Sequence, residues 1–172
     1  MTLRLVFGVD PGLSGAVATL IDSVPGPILD MPTFHNGTAN EVDALALVRF
    51  IRGLREAHHG AHVAACIERV RAMPNKEGGG RRTMGAQSSF NFGDGFGQVK
   101  AVFRALGIAP VFVEAVTWKR AFSLTGQPKD AAREVALRLY PGLAPELRRK
   151  KDVGRADALL VAYWAVQTEA AA

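Results

Sequence analysis

The chain has 172 residues, of which 48% are hydrophobic and 22% charged, and its formal net charge at pH 7 is +5. This length suits a single domain spanning residues 1–172, and the composition excludes a globally disordered protein. The single cysteine excludes a disulfide framework, no apolar run approaches the ~20 residues that cross a bilayer, and the N-terminus lacks a signal-peptide layout. We therefore expect a cytoplasmic protein without a membrane segment.

The positive charge is concentrated in two stretches that favour an anionic partner. Such runs are usually ordinary solvated faces. Because each stretch lies beside an acidic residue that is a candidate for a functional site, contact with a phosphate backbone is an equally good interpretation. The basic residues are Arg69, Arg71, Lys76, Arg81 and Arg82 in the first stretch, and Arg148, Arg149, Lys150, Lys151 and Arg155 in the second.

Short apolar runs separated by turn residues predict that the chain begins with an antiparallel meander. Residues 3–9 and 15–21 read as strands joined by a turn at Asp10-Pro11-Gly12. Residues 28–34 read as a third strand, entered through a break at residues 25–27.

From residue 41 the apolar spacing becomes helical, and helices alternate with buried strands to the end of the chain. Asn40 with Asp43 predicts the start of the first helix, and Gly107 the end of the second. The predicted elements are a helix over 41–54, a strand over 62–70, a mobile loop over 71–93, a helix over 96–106, a strand over 109–113, and helices over 128–140 and 154–167. This order predicts an α/β fold with a five-stranded mixed sheet and helices on both faces. The ribonuclease-H-like fold has this order, as do other α/β folds.

Three acidic residues occupy positions where an unpaired charge is costly. Asp10 ends the first strand, Glu68 lies in the apolar strand 62–70, and Asp157 shares the apolar face of the last helix. Parallel neighbouring strands would place Asp10 beside Glu68, and a helix across that sheet end would add Asp157. Oxygen ligands without a nearby His or Cys favour Mg²⁺ or Mn²⁺, and two ions ~4 Å apart could support phosphodiester hydrolysis.

Each of these acids also has an ordinary structural interpretation. Asp10 could be a turn residue before Pro-Gly, and Asp157 could be a first-turn acid favoured by the helix dipole. Glu68 could pair with Arg69 or Arg71. The order and spacing of all three acids favour a single shared site.

At these residues the sequence resembles the RuvC-type Holliday junction resolvases, particularly the short single-domain versions common in phages. The matching segments are FGVDPG at residues 7–12, CIERV at 66–70 and ADALL at 156–160. Between them, VTWK at 116–119 and the later Lys129 stand where that family has basic residues near the scissile phosphate.

The resemblance implies a ribonuclease-H-like fold and a homodimer that makes paired nicks in four-way DNA junctions during recombination and repair, in a bacterial cell or a phage-infected host. Asp10, Glu68 and Asp157 would be ligands of Mg²⁺ or Mn²⁺, two ions per active site. Lys119 and Lys129 would contact the phosphate or stabilise its developing charge, although both could be ordinary surface lysines. The expected DNA contacts are Arg71, Lys76, Arg81, Arg82, Lys119, Lys129 and Lys151.

The sequence departs from this family at two positions. Arg71 stands where many relatives have an aromatic residue, so stacking would come from Phe90 or Phe92, or guanidinium contacts would replace it. The two phenylalanines could instead pack the following helix. Gly154 stands where the family has an acid, and Asp152 is the candidate for the fourth metal ligand and catalytic carboxylate.

Other functions remain open at the level of the sequence. The chain could be another ribonuclease-H-like nuclease, acting on flaps, branched DNA or RNA–DNA hybrids, or a non-catalytic nucleic-acid-binding module. The turn DPGLSG is also similar to the phosphate-binding loops of actin-like kinases, but those require two such domains and the length is too short for both.

Overall fold

A computed structural model describes residues 2–69, 71 and 85–170. The predicted DNA contacts Lys76, Arg81 and Arg82 lie outside the described residues. Across the part of the chain that the structure describes, none of the helices combines the length and apolar character needed to cross a membrane. The cytoplasmic location and the single-domain organisation stay predictions.

The described residues form a five-stranded mixed sheet in the order β3-β2-β1-β6-β7. β1, β2 and β3 are antiparallel neighbours, whereas β1, β6 and β7 run parallel. β4 and β5 form a separate short hairpin. The strands are β1 (Arg4–Asp10), β2 (Ala16–Ile21), β3 (Val24–Asp30), β4 (Thr33–His35), β5 (Asn40–Val42), β6 (His62–Arg69) and β7 (Val111–Glu114).

Helices cover both faces of the sheet, as predicted. α1 and α2 pack on one face, and α4 and α5 with the short α3 pack on the other. The helices are α1 (Ala44–Ala57), α2 (Ala86–Ala105), α3 (Ala115–Ala121), α4 (Ala131–Leu139) and α5 (Val153–Gln167). The sheet order and the two helical layers confirm the prediction of an α/β fold with a five-stranded mixed sheet and helices on both faces.

The alternation of side chains along β1 decides which face each residue serves. Leu5, Phe7 and Val9 are buried in the core beneath α1 and α2. Val6 is buried in the core on the opposite face, beneath α5. Asp10 follows the alternation of Val6 and therefore belongs to the α5 face.

Helix α5 lies unusually close to β1 because Gly8 has no side chain. A Cβ at this position would lie 2.1 Å from the carbonyl oxygen of Ala158 and 2.4 Å from the backbone nitrogen of Ala162. Real Cβ atoms do not approach backbone atoms this closely, so the contact between strand and helix requires glycine.

The third strand begins earlier than the sequence predicts. β3 starts at Val24 and includes the Pro25-Gly26-Pro27 segment that we expected to interrupt it. Because β3 is an edge strand, the missing N–H groups of two prolines remove few ladder hydrogen bonds. The interpretation of this segment as a breaker was therefore wrong.

The predicted helix starts also need correction. Asn40 belongs to β5, and α1 begins at Ala44, where the Asp43 side chain accepts a 2.9 Å hydrogen bond from the Ala46 backbone. The predicted loop 71–93 is wrong over residues 86–93, which form the first part of α2. Helix α3 was not predicted, because seven residues provide too few turns for a recognisable apolar period.

Candidate functional site

The carboxyl ends of two parallel strands bring Asp10 and Glu68 side by side. The pairing of β1 with β6 runs in register to Val9 and Ile67, and the two acids follow directly. Side chains two positions apart on a strand point to the same face of the sheet. Asp10 therefore lies on the same face as Val6, and Glu68 on the same face as Cys66, which is the face covered by α5. The structure therefore brings these two predicted site residues to one edge of the sheet.

Helix α5 adds Asp157 from its first turns. Gly154 lies against the turn that follows Asp10, where a Cβ would be 2.5 Å from the carbonyl oxygen of Ser14 and 2.9 Å from the Cα of Gly15. This approach brings Asp157 close enough for the charges of Asp10 and Glu68 to raise its pKa. The three predicted acids thus lie together.

The surroundings of Asp10 favour its protonated form. Burial raises the pKa of Asp10 to about 6, and the negative charge of Glu68 contributes in the same direction. The backbone N–H of Gly12, 3.4 Å from Asp10 Oδ1, opposes this shift. The positive charges of Lys119 and Lys129 also lower the pKa of Asp10.

The pKa of Asp157 is raised further than that of Asp10. Its pKa is raised to about 7, chiefly by burial. The charges of Asp10 and Glu68 raise it further, while Lys119 and Lys129 oppose the shift. The Oδ1 atom of Asp157 is buried without a hydrogen-bond partner. A carboxylate oxygen in this state is costly unless it meets a cation or a proton.

Glu68 has a hydrogen-bond partner that sequence reasoning did not identify. The indole Nε1 of Trp118 donates a 2.7 Å hydrogen bond to Glu68 Oε2, and Trp118 is fully buried. The available signal was the need of a buried indole N–H for an acceptor, applied to a tryptophan adjacent to the candidate Lys119.

The two predicted lysines lie near the acids. Lys119 belongs to α3, and its Nζ lies 5.2 Å from the centre of the Trp118 ring. Lys129 lies in the segment before α4 and is exposed. The charges of both lysines act on Asp10 and on Asp157, so the site combines negative carboxylates with nearby cations.

The structure does not bring Asp152 into this group. The carboxylate of Asp152 is 2% exposed and pairs with Arg149, whose Nη2 lies 2.7 Å from Oδ1 and whose backbone N–H lies 2.7 Å from Oδ2. Burial raises the pKa of Asp152, but the hydrogen bonds from Arg149 outweigh this, and the pKa is lowered overall. Its role as a fourth metal ligand stays a prediction, and that role would require the carboxylate to leave Arg149.

The basic residues around the site differ in their surroundings. Arg69 and Arg71 both pair with Glu114, at 3.4 and 2.7 Å, so the alternative interpretation of Glu68 as their partner is not what the structure shows. Arg71 and Lys151 are exposed, in agreement with a position on the surface. Their contact with DNA stays a prediction.

Two phenylalanines project from the first turns of α2. Phe90 is 71% exposed and therefore packs little against the protein, whereas Phe92 is 37% exposed and is mostly covered. A Cβ at Gly12 would lie 4.0 Å from Phe92 Cε2, which places that ring beside the turn after Asp10.

The acids provide the chemistry of a cation site without a completed ligand shell. Among residues 2–69, 71 and 85–170, no three His, Cys, Asp or Glu side chains are already arranged to hold a metal ion. The buried Oδ1 of Asp157 nevertheless lacks a partner, and three crowded carboxylates repel one another. Oxygen-only donors of this kind fit a hard divalent cation such as Mg²⁺ or Mn²⁺.

Comparisons with known proteins find similarity to Holliday junction resolvases. No protein-family model matches the chain. Over 50 residues, 28% of the chain, the sequence is 52% identical to the chloroplastic Holliday junction resolvase MOC1 of Chlamydomonas reinhardtii. The chain resembles the RuvC-type Holliday junction resolvases. The matched segment spans 6% of the length of that curated relative.

Two solved structures of Thermus thermophilus RuvC are also similar in fold. One is RuvC in complex with a Holliday junction substrate, at 18% identity, and the other is RuvC itself, at 16% identity. Each comparison covers 98% of both chains with a TM-score of 0.48.

Proposed function

We propose that the chain is a divalent-metal-dependent endonuclease that resolves four-way DNA junctions by paired symmetric nicks. The observation that carries this proposal is the meeting of Asp10, Glu68 and Asp157 at one sheet edge, with a buried Asp157 oxygen that has no partner. The local sequence identity to a Holliday junction resolvase supports the choice of substrate.

In this proposal the three carboxylates hold Mg²⁺ or Mn²⁺, and we predict two ions per site. The ions would supply a nucleophile from water at neutral pH and neutralise charge on the phosphate. The carboxylates must be ionised to bind a cation, so the raised pKa values of Asp10 and Asp157 would set a lower pH limit for activity.

The chain's own cations would act on the DNA. The charges of Lys119 and Lys129 act on both aspartates, which supports the proposal that these lysines bind the scissile phosphate and stabilise the negative charge that develops on it. Arg71 and Lys151, together with Lys76, Arg81 and Arg82, are predicted to bind phosphates away from the cleaved bond. These contacts would contribute sequence-independent affinity that weakens as salt increases.

Paired cuts need two sites related by a two-fold axis, so we propose that the active species is a homodimer. The predicted interface is the helix over residues 96–106, which the structure shows as the second half of α2, with the loop before it. Gly93 and Gly97 support this choice, because a Cβ at either position would meet nothing within 4 Å, which leaves part of the outer surface of α2 smooth. A monomer in light scattering, at a concentration at which the protein shows full junction-cutting activity, would contradict this part of the proposal.

The decisive experiment compares Asp10→Asn with wild type on four-way, flap and RNA–DNA hybrid substrates in the presence of Mg²⁺ or Mn²⁺. We expect wild type to cut the four-way junction in symmetric pairs, and Asp10→Asn to lose cleavage while it binds the junction at least as tightly. Loss of an acid lowers repulsion of phosphate but removes a metal ligand. Glu56→Gln, at a 73% exposed position of α1, is the control for a lost charge.

The outcomes separate the candidate functions. Preferred cutting of flaps or hybrids would indicate another ribonuclease-H-like nuclease. Junction binding without cutting under any metal condition would indicate a binding module. Wild-type cleavage by Asp10→Asn would show that the proposed site is wrong.

A further inference from the structure

We infer that Trp118 is a positioning residue that holds one oxygen of Glu68 and leaves the other for the metal ion. This inference rests on the proposed function, because Glu68 is a metal ligand only in that proposal. The contact itself is independent of any ligand: Trp118 Nε1 donates to Glu68 Oε2 at 2.7 Å.

The fold brings these two residues together from distant parts of the sequence. Glu68 lies opposite Val113 in the parallel pair of β6 and β7. Helix α3 begins at Ala115, directly after β7, and presents Trp118 toward the neighbouring strand. The short helix that the sequence analysis missed is therefore the element that supplies a partner for Glu68.

The packing of the indole ring fixes the direction of its N–H. Trp118 is fully buried and meets Phe122 edge to face, with ring centroids 6.4 Å apart. Phe122 in turn contacts Tyr163 of α5 at 5.9 Å, and Tyr163 contacts Tyr140 at 6.0 Å. A ring enclosed in this way cannot turn its N–H elsewhere without displacing its aromatic neighbours.

A single donor has a specific effect on a carboxylate. The indole has one N–H group and no acceptor atom. It can therefore donate to one oxygen of Glu68, and it cannot itself bind a metal ion. A hydrogen bond to a charged acceptor is short and strong, and it fixes the orientation of the carboxylate plane. Outer partners of this kind typically change metal affinity by about 10–100-fold when they are removed.

Helix α3 links this contact to the phosphate side of the site. Lys119 is adjacent to Trp118, and its charge acts on Asp10 and Asp157. Removal of the indole N–H should alter how Glu68 is held while the cation of Lys119 remains. The expected defect is therefore in metal binding rather than in affinity for DNA.

The test measures Mn²⁺ binding by calorimetry for wild type, Trp118→Phe and Trp164→Phe at pH 8. Phenylalanine keeps an aromatic ring but lacks the N–H, and Trp164 is the other tryptophan of the chain, on α5. We expect the Mn²⁺ dissociation constant to rise about 10–100-fold in Trp118→Phe and to stay unchanged in Trp164→Phe. Wild-type Mn²⁺ affinity in folded Trp118→Phe would overturn the inference.

A second measurement covers the case in which Trp118→Phe fails to fold. In Trp164→Phe the only indole is Trp118, so its fluorescence can be followed during titration with Mg²⁺. We expect the emission of Trp164→Phe to change saturably with Mg²⁺, and we expect no change in the double variant that also carries Glu68→Gln. A spectrum of Trp164→Phe that does not respond to Mg²⁺ would overturn the inference. Absence of Mn²⁺ binding by wild type would overturn the proposed function together with this inference, whereas normal wild-type binding with an unaffected Trp118→Phe would overturn the positioning role alone.

Discussion

Gly154 of α5 lies against the backbone of Ser14, where a Cβ would be 2.5 Å from the carbonyl oxygen. This contact joins the first turn of α5 to the turn that follows Asp10. It also explains why position 154, three residues before Asp157, has no acid: a side chain there would separate the helix from the sheet edge. The close approach and a carboxylate at this position exclude each other.

Gly154→Ala should therefore destabilise the protein, although alanine ordinarily favours a helix. We expect the overpacking to cost about 1–3 kcal/mol in the free energy of unfolding, measured by urea denaturation. Gly53→Ala is the matched control, because a Cβ at this exposed position of α1 meets nothing within 4 Å. This variant should raise the free energy of unfolding by roughly 0.5–1 kcal/mol, since alanine favours the helix. An equal increase in the free energy of unfolding in both variants would show that α5 does not lie this close to the turn after Asp10.

The raised pKa values of Asp10 and Asp157 predict a pH dependence of stability in metal-free protein. The folded state holds protons up to pH about 6 and about 7, whereas the ordinary aspartate value is 3.8. Between these limits the folded state binds more protons than the unfolded state, so stability falls as pH rises from about 4 to about 7.

Asp157→Asn removes this ionisation and should unfold at a higher temperature than wild type at pH 8 in EDTA. The expected gain is on the order of 1 kcal/mol after allowance for solvent screening, and it should disappear near pH 4. Added Mn²⁺ should reverse the order by stabilising only wild type. Glu56→Gln on α1 controls for the general loss of a surface charge. A gain for Asp157→Asn that persists at pH 4 would contradict the assignment to ionisation.

The ion pair between Asp152 and Arg149 should contribute to the free energy of unfolding. The pKa of Asp152 is lowered in the folded state, so its contribution is present at neutral pH and is lost as pH falls through that lowered value. We expect Asp152→Asn to cost roughly 1–3 kcal/mol at pH 7 and Arg149→Gln to destabilise the protein in the same direction, with the double mutant less destabilised than the sum of the two single variants. Arg148→Gln, at the adjacent exposed position, is the control.

A ligand role for Asp152 adds a separate kinetic expectation. In that case kcat falls far more in Asp152→Asn than in Arg149→Gln, junction affinity is little changed, and excess Mn²⁺ partly restores the rate. A kcat within about twofold of wild type in folded Asp152→Asn would leave Asp152 with the structural role alone.

Phe90 and Phe92 should contact unstacked bases beside the site. Both rings are partly exposed on α2, and Phe92 lies next to Gly12. In Asp10→Asn protein bound to a junction with 2-aminopurine near the branch point, we expect Phe92→Ala to change the fluorescence and weaken binding by roughly 5–100-fold, since stacking contributes about 1–3 kcal/mol per base. Phe34→Ala removes another exposed phenylalanine, from β4, and should have no effect. Equal effects of the two variants would exclude stacking at α2.

The sequence by itself determined the layers of the fold and the three acids. Its apolar periods indicated β1, β2, β6 and α5, because a buried strand and a buried helix each leave a local pattern. The acids were recognisable because Asp10, Glu68 and Asp157 interrupt apolar segments, where charge is costly. The edge strand β3 and helix α3 were missed or misplaced, since a strand with two prolines and a helix of seven residues leave little periodic signal.

Only the tertiary structure decided how the acids are held. Gly8 and Gly154 set the distance of α5 from the sheet through contacts with Ala158 and Ser14, and a glycine in a sequence does not reveal which backbone will face it. The pairing of Trp118 with Glu68 joins residues 50 positions apart. Asp152 satisfies the spacing of a fourth ligand, yet its hydrogen bonds are made to Arg149, because sequence spacing fixes neither the direction of a side chain nor the partner that is nearest to it.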